Sequence, residues 1–199
     1  MSSQLPPRRS RRPLVLSLVL ALAGFALAAQ LAAVRATALS RLLCTTTEPV
    51  GCDVVAASGL TLLFGVPLPV WGLLAFGGLA ALAASGLARD RPHDHWPAGL
   101  LFIGGTSAAL ASVALAVASH LSVPVNCLLC TAVWAVSGGL FALGWRLVRA
   151  AGGVSEALRL DLAAARERPR QTMVLILTVA GGVAFLVVHA AHSSLRPLS

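Results

Sequence analysis

The sequence predicts an all-α integral membrane protein, in which a four-helix bundle is followed by a fifth transmembrane helix. Of the 199 residues, 57% are hydrophobic and only 11% are charged, which is too little charge to cover a surface in water. The apolar residues are grouped in runs of about 20, the length that a helix needs to cross roughly 30 Å of hydrocarbon. These runs are continuous, which argues against the alternating pattern of a transmembrane β-barrel.

Five apolar runs define the predicted spans. They cover residues 13–34, 58–84, 96–121, 127–148 and 172–191. The second run contains Pro67 and Pro69, and because proline lacks an N–H group and clashes with the preceding turn, we expect a break near the start of that span. The first run resembles a signal peptide, with a possible cleavage site at residues 26–30 and a faint twin-arginine pattern at 10–15. Its length of about 22 residues exceeds that of a signal-peptide core, so we interpret it as a retained helix.

The spans divide the chain into five segments. These are a cytoplasmic arm at 1–12, the four-helix core at 13–149, a connector at 150–171, the fifth span at 172–191 and a short outer tail at 192–199. The connector is rich in arginine and mixes charged and apolar residues. It is therefore expected to form an amphipathic helix on the anionic inner leaflet.

The arginines predict the orientation of the chain. The net charge is +8, and every basic residue is arginine. With the N-terminus inside, the inner segments hold twelve arginines, whereas the outer segments hold Arg35, Arg41 and Arg196. This bias predicts a cytoplasmic N-terminus and an outer C-terminus. Because topology already accounts for the charge, no nucleic-acid partner is expected.

The predicted topology brings all four cysteines to the outer face. Cys44 and Cys52 fall in the first outer loop, and Cys127 and Cys130 begin the fourth span. Residues three apart share a helical face. Asn126 is a suitable N-cap, so Cys127 would be the first helical residue, beside unpaired N–H groups at the positive end of the helix dipole. This position predicts a lowered pKa for the Cys127 thiol.

An exposed pair and a fixed pair on one membrane face are suited to thiol–disulfide exchange. The loop between Cys44 and Cys52 is polar and rich in turn-forming residues, which predicts an exposed segment. A structural disulfide or two buried thiols remain alternatives. A zinc site is disfavoured because seven residues separate the loop cysteines, whereas zinc knuckles favour two to four. His93 and His95 fit a solvated turn better than a metal site, and no metal is predicted.

An ordered set of motifs carries a family resemblance. The set consists of the loop cysteines, Ser58 six residues after Cys52, the segment Leu-Phe-Gly-Val-Pro-Leu-Pro-Val-Trp-Gly at 63–72, and Cys127-Leu-Leu-Cys130 at the start of a later helix. With these motifs the sequence resembles the vitamin K epoxide reductase family, and more closely its bacterial homologues. The resemblance covers about residues 13–149.

The resemblance implies an electron relay in a bacterial cytoplasmic membrane. In that reading Cys130 passes two electrons to a quinone, menaquinone or ubiquinone, and Cys127 exchanges with Cys52. Cys44 acts with Cys52 to oxidise a thioredoxin-like or DsbA-like thiol protein on the outer face. Many bacterial relatives carry a thioredoxin-like domain after the fifth helix, whereas this sequence ends eight residues after Ala191, so the resemblance implies a separate partner. It also implies a quinone pocket, which includes Ser58, Phe64, Gly65 and Pro67.

One position departs from the family pattern. Some members carry a tyrosine four residues after the CxxC motif, but this chain contains no tyrosine, and Trp134 stands at that spacing. An indole can stack on a quinone ring and donate one hydrogen bond, but it cannot act as an acid. We therefore include Trp134 in the predicted quinone pocket and favour a plain quinone over vitamin K epoxide as the substrate.

Two other functions remain open from the sequence. A DsbB-type oxidase also has four helices, two cysteine pairs and a quinone, but carries its CxxC in the first outer loop, the reverse of the order here. A non-catalytic membrane protein with two structural disulfides belongs to a different class. Three histidines, His120, His189 and His192, fall near the outer ends of spans, where interfacial solvation is favoured over a role in an outer proton path.

Overall fold

Helices dominate the computed structural model, which describes residues 11–36, 62–63, 66–88, 96–122, 128–167 and 181–182. The helices are α1 (Arg12–Ala36), α2 (Leu68–Leu87), α3 (Ala98–Ser122), α4 (Leu128–Ala150) and α5 (Val154–Glu167), and the strands are β1 (Leu62–Leu63) and β2 (Val66–Pro67). Within this part of the chain, α1 to α4 are long and apolar enough to span a membrane. The predicted all-α membrane fold is confirmed. Apart from residues 181–182, the predicted fifth span lies outside the described residues.

The four long helices pack as an antiparallel bundle. Phe76 of α2 lies against Gly24 of α1, and Gly72 lies against Ala28, so these two helices run in opposite directions. The same holds for α3 and α4, where Gly105 lies against the backbone at Leu140. Helix α4 also packs on α1, and α3 on α2, which closes the bundle. One end of the bundle therefore gathers the end of α1, the start of α2, the end of α3 and the start of α4.

Each helix buries one narrow stripe of small and apolar residues. In α1 the buried positions are 14, 17, 21, 24 and 28, and in α4 they include 137, 140, 144 and 147. Alternating steps of three and four residues are the pattern of helices that pack with knobs in holes. Several of these residues are glycine, alanine or serine, which lets helix backbones approach closely in a membrane.

The lipid-facing surface carries the large apolar side chains. The exposed examples on α1, α3 and α4 include Leu16, Leu22, Leu110, Val113 and Phe141. Among the described residues, α2 contributes no large hydrophobic side chain to this exposed set. Helix α2 is thus the most enclosed of the four, and it is the helix that follows the predicted cysteine loop.

The second span begins ten residues later than the sequence predicts, at Leu68 rather than Ser58. Strand β1 pairs antiparallel with β2 in the register Leu62 with Pro67 and Leu63 with Val66. Residues 66–67 are therefore a strand, whereas the predicted span of 58–84 included them. The physical reason lies in the two prolines. Pro67 is the N-cap residue and has an extended backbone (φ −57°, ψ 132°), so the helix starts only after it, whereas Pro69 is tolerated in the first turn.

Two glycines end α4 and redirect the chain into α5. Gly152 and Gly153 have positive φ angles of 93° and 124°, which residues with a Cβ rarely adopt. The Gly153 N–H donates to the Val148 carbonyl at 3.0 Å, a bond across six residues that satisfies one of the last carbonyls of α4. This turn brings α5 back against the start of α3.

Asp161 links α5 to the bundle through a hydrogen bond to α3. Its carboxylate, only 2% exposed, accepts a hydrogen bond of 2.9 Å from the backbone N–H of Leu100, in the first turn of α3. The first N–H groups of a helix have no partner within the helix, and the helix dipole favours a negative charge there. Gly99 permits the close approach, because a Cβ there would lie 3.0 Å from the Asp161 oxygen. The position of α5 on the inner leaflet stays a prediction.

Candidate functional site

Cys130 lies at the N-terminal end of the buried stripe of α4. It is the third residue of the helix and is half-buried. Counted back from Ser137 in steps of three or four, the stripe continues through Trp134 or Val133 to Cys130. In the first turn of a helix, backbone N–H groups have no partners within the helix. The thiol thus faces the bundle at a position suited to redox chemistry.

Trp134 stands one turn after Cys130 on the same stripe. The two residues are four apart, which is about 6 Å along the helix axis. The indole is half-buried, and its ring lies against the imidazole of His120 on α3, with centroids 6.4 Å apart and planes tilted by 50°. The thiol and the indole therefore stand on one face of α4, and α3 supplies the neighbouring polar ring.

A buried hydrogen bond fixes this face of α4 against α3. The Ser112 hydroxyl donates to the Ser137 hydroxyl at 3.0 Å, and the latter donates to the Val133 carbonyl at 2.9 Å. Both serines are almost fully buried. Hydrogen bonds between helices in membranes contribute roughly 0.6 kcal/mol on average. This hydrogen bond fixes the rotation of α4 about its own axis. Cys130 and Trp134 therefore share the side of α4 that faces the bundle.

The segment that contains the other cysteine pair begins and ends at the same end of the bundle as Cys130. Helix α1 ends there at Ala36, and the hairpin that leads into α2 begins there at Leu62. Cys44 and Cys52 occupy positions between these two points. An exchange between a loop pair and the α4 pair is therefore compatible with the path of the chain.

The described residues include three members of the predicted site. Cys130 and Trp134 come together on α4, whereas Pro67 lies half-buried at the start of α2. The remaining predicted residues lie outside the described part of the chain: Cys44, Cys52, Cys127, Ser58, Phe64 and Gly65. The predicted place of Cys127 as the first residue of the helix is also outside it, because α4 is described from Leu128. Within the described residues, no group of three or more His, Cys, Asp or Glu side chains could hold a metal ion.

The sequence alone does not point to Ser112, to Ser137 or to the contact of His120 with Trp134. Serine is common in apolar helices, and its spacing alone does not reveal a partner on another helix. The position of His120 near the end of the third span predicts interfacial solvation, whereas its contact with Trp134 joins residues fourteen positions apart. A signal was present, since Ser137 is seven residues after Cys130 and therefore shares its face.

Comparison with known families identifies the class of protein that this arrangement defines. The sequence profile of the vitamin K epoxide reductase family matches residues 15–145, which cover α1 to α4 almost completely. The chain belongs to the vitamin K epoxide reductase family. No curated protein matches the sequence at a significant level. Membership in this family implies a membrane thiol–disulfide oxidoreductase, and the four apolar helices agree with a membrane protein.

Proposed function

We propose that the protein makes disulfides in a thiol protein outside the cytoplasmic membrane and passes the electrons to a membrane quinone. The observation that carries this proposal is the position of Cys130. The thiol lies half-buried in the first turn of α4, on the face that carries Trp134, at the end of the bundle where the loop with Cys44 and Cys52 starts and finishes.

The surroundings of Cys130 fit a quinone as the electron-accepting substrate. A quinone is a flat, apolar ring carried by a lipid tail, and it needs an apolar site that opens within the membrane. Trp134 provides an aromatic face on which such a ring can stack. Val133 packs against the buried core beside it. Together with Pro67, and with Ser58, Phe64 and Gly65 from the family resemblance, these residues form the proposed pocket.

The four cysteines act in a fixed order in this proposal. The thiol protein reduces a disulfide between Cys44 and Cys52. Cys52 then exchanges with Cys127, and the new Cys127–Cys130 dithiol is reoxidised by the quinone. Each exchange is attack of a thiolate on a disulfide sulfur, which conserves electrons; it moves two electrons one step inward and the disulfide one step outward. The partner is a thioredoxin-like or DsbA-like protein on the outer face of a bacterial cytoplasmic membrane, in accord with the arginine distribution.

A coupled assay tests the proposed function. Purified protein in detergent is mixed without oxygen with a reduced thioredoxin-like protein, and menaquinone and ubiquinone analogues are offered in turn. We expect quinone absorbance to fall as the partner's thiols disappear, with two thiols consumed for each quinone. If the protein consumes neither thiols nor quinone, the alternative of structural disulfides is favoured.

The order of the relay predicts a specific cross-link. A Cys44→Ala, Cys130→Ala double variant keeps only Cys52 and Cys127, so mild oxidation by dissolved oxygen should join these two thiols in a disulfide. Peptide mapping without reductant detects this disulfide. The Cys52→Ala, Cys130→Ala variant is the matched control and should not accumulate a cross-link to Cys127. A Cys44–Cys127 link in the control would reverse the roles of the two loop cysteines.

The proposed order also separates this protein from a DsbB-type oxidase. In that type the quinone-proximal CxxC motif lies in the first outer loop, so removal of Cys44 and Cys52 would abolish quinone reduction. In the present proposal, the loop cysteines are needed only for exchange with the thiol protein. A chemically reduced Cys44→Ala, Cys52→Ala variant should therefore still reduce quinone once.

A further inference from the structure

We infer that His120, whose imidazole lies beside Trp134, is the proton donor to the quinone; this inference rests on the proposed function. The imidazole of His120 contacts the indole of Trp134, with ring centroids 6.4 Å apart. This contact joins α3 and α4 one turn below Cys130. It brings an imidazole beside the aromatic ring on which the acceptor is proposed to stack.

The chemistry requires a proton donor at this place. When Cys127 as a thiol and Cys130 as a thiolate form a disulfide, they release two electrons and one proton. The quinone takes up two electrons and two protons to become a quinol. One proton comes from the Cys127 thiol and the second comes from the His120 imidazolium. The imidazole then regains a proton from water on the outer side, which closes the balance.

Histidine is the residue type suited to this task. Its imidazole exchanges protons between about pH 5 and 8, whereas an indole donates a hydrogen bond but does not give up its proton. The chain contains no tyrosine that could serve instead. His120 is exposed near the end of α3, so its ring can meet both the outer water and Trp134.

Few other titratable groups surround His120 in the described residues. Helix α4, which carries Trp134, contributes the Cys130 thiol at this end. Helix α2, which packs on α3, has no charged or titratable side chain between Leu68 and Leu87. Arg35 is in the last turn of α1, which packs on α2 and α4. An acidic side chain is absent from the described parts of these four helices.

The test is a single-turnover experiment on the whole protein. Protein reduced in advance is mixed with quinone in the absence of oxygen, and quinone absorbance is followed between about pH 5 and 9. In the native protein, the rate of quinone reduction should pass through a maximum with pH, because the step needs both a thiolate and a proton donor. In His120→Gln the alkaline fall should disappear, and the rate near pH 6 should drop about a hundredfold. Added imidazole should restore part of the rate in His120→Ala.

Ser119→Ala is the matched control, because the Ser119 hydroxyl only donates to the Ala116 carbonyl within α3, at 2.9 Å. It should keep the native rate and pH profile. If His120→Gln keeps the native pH profile, at whatever rate, the inference is overturned and His120 has only a structural role. Failure of the proposed function would look different, because the native protein would then reduce no quinone, or Cys130→Ala would reduce it as fast as the native protein. If Cys130→Ala no longer reduces quinone but His120→Gln keeps the native pH profile, the proposed function stands and only the role of His120 is rejected.

Discussion

Replacing Cys130 by alanine is expected to abolish the reduction of quinone by the reduced protein. Cys130 is the thiol on the buried stripe of α4, next to Trp134, and the proposed step requires its sulfur to deliver the electrons. Removal of a nucleophile that acts in covalent chemistry lowers rates by several orders of magnitude, so we expect a loss of at least about a thousandfold. The measurement is quinone absorbance in a single turnover of chemically reduced protein.

Two controls show that such a loss reports chemistry rather than misfolding. Gly138→Ala is a matched change on the same helix, at a position where no described atom lies within 4 Å of an added Cβ, and it should keep the native rate. The Cys130→Ala variant should also keep the native thermal unfolding midpoint to within a few degrees, since the side chain is only half-buried. Quinone reduction at a normal rate by this variant would refute the assignment of Cys130.

Replacing Gly144 by alanine is expected to destabilise the bundle. A Cβ at Gly144 would lie 2.8 Å from the Phe102 Cα and 3.2 Å from the Leu101 carbonyl oxygen, both backbone atoms of α3. Backbone atoms cannot rotate away as the end of a flexible side chain can, so α3 and α4 must move apart. Overpacking of this kind costs about 1–3 kcal/mol, which corresponds to about 2–4 °C in the unfolding midpoint for each kcal/mol.

The same helix supplies the control for this change. Gly138→Ala adds an identical methyl group to α4 six residues earlier, and the two variants gain equally from the higher helix propensity of alanine. Thermal unfolding in detergent, followed by tryptophan fluorescence, measures the difference. Trp145 reports on the contact because its ring lies 5.7 Å from that of Phe102. Equal midpoints for the two variants would show that α3 and α4 do not pack in this way.

The apolar runs of the sequence predicted three of the four described spans to within two residues at each end. The length of a span is set by the thickness of the hydrocarbon, and most residues in it must be apolar, so the signal is local. The second span shows the limit of this reasoning. Residues 58–67 are apolar too, but Val66 and Pro67 pair with Leu62 and Leu63 as a short antiparallel ladder. Apolar character alone does not separate a helix from a strand over so few residues.

The buried stripes were harder to predict than the spans. In water the buried face of a helix is apolar and the exposed face is polar, which gives a visible pattern. In lipid the exposed face is apolar as well, and the buried stripe of α1 contains Ser17, Ala21 and Gly24 while Leu16 and Leu22 face outward. Hydrophobicity therefore carries little information on which face points inward, and small residues become the clue.

The candidate site also combines features that the sequence predicts with features that only the structure shows. The cysteine pairs and their order along the chain were visible in the sequence, and the family match supports the chemistry that they suggested. The pairing of His120 with Trp134 was not visible, because it depends on the register of α3 against α4. That register is fixed by contacts such as Ser112 with Ser137, which join residues 25 positions apart.

The sequence by itself determined that this is a membrane protein and where three of its four described spans lie, and it predicts which thiols exchange electrons. These properties follow from local composition, from span length and from the kinds of side chain present. Only the tertiary structure decided which face of each helix is buried, that Asp161 of α5 binds the start of α3, and that an imidazole lies beside the indole next to Cys130. The reason is physical: inside a membrane, helices are positioned by close packing and a few hydrogen bonds between distant residues, and neither leaves a periodic pattern along the chain.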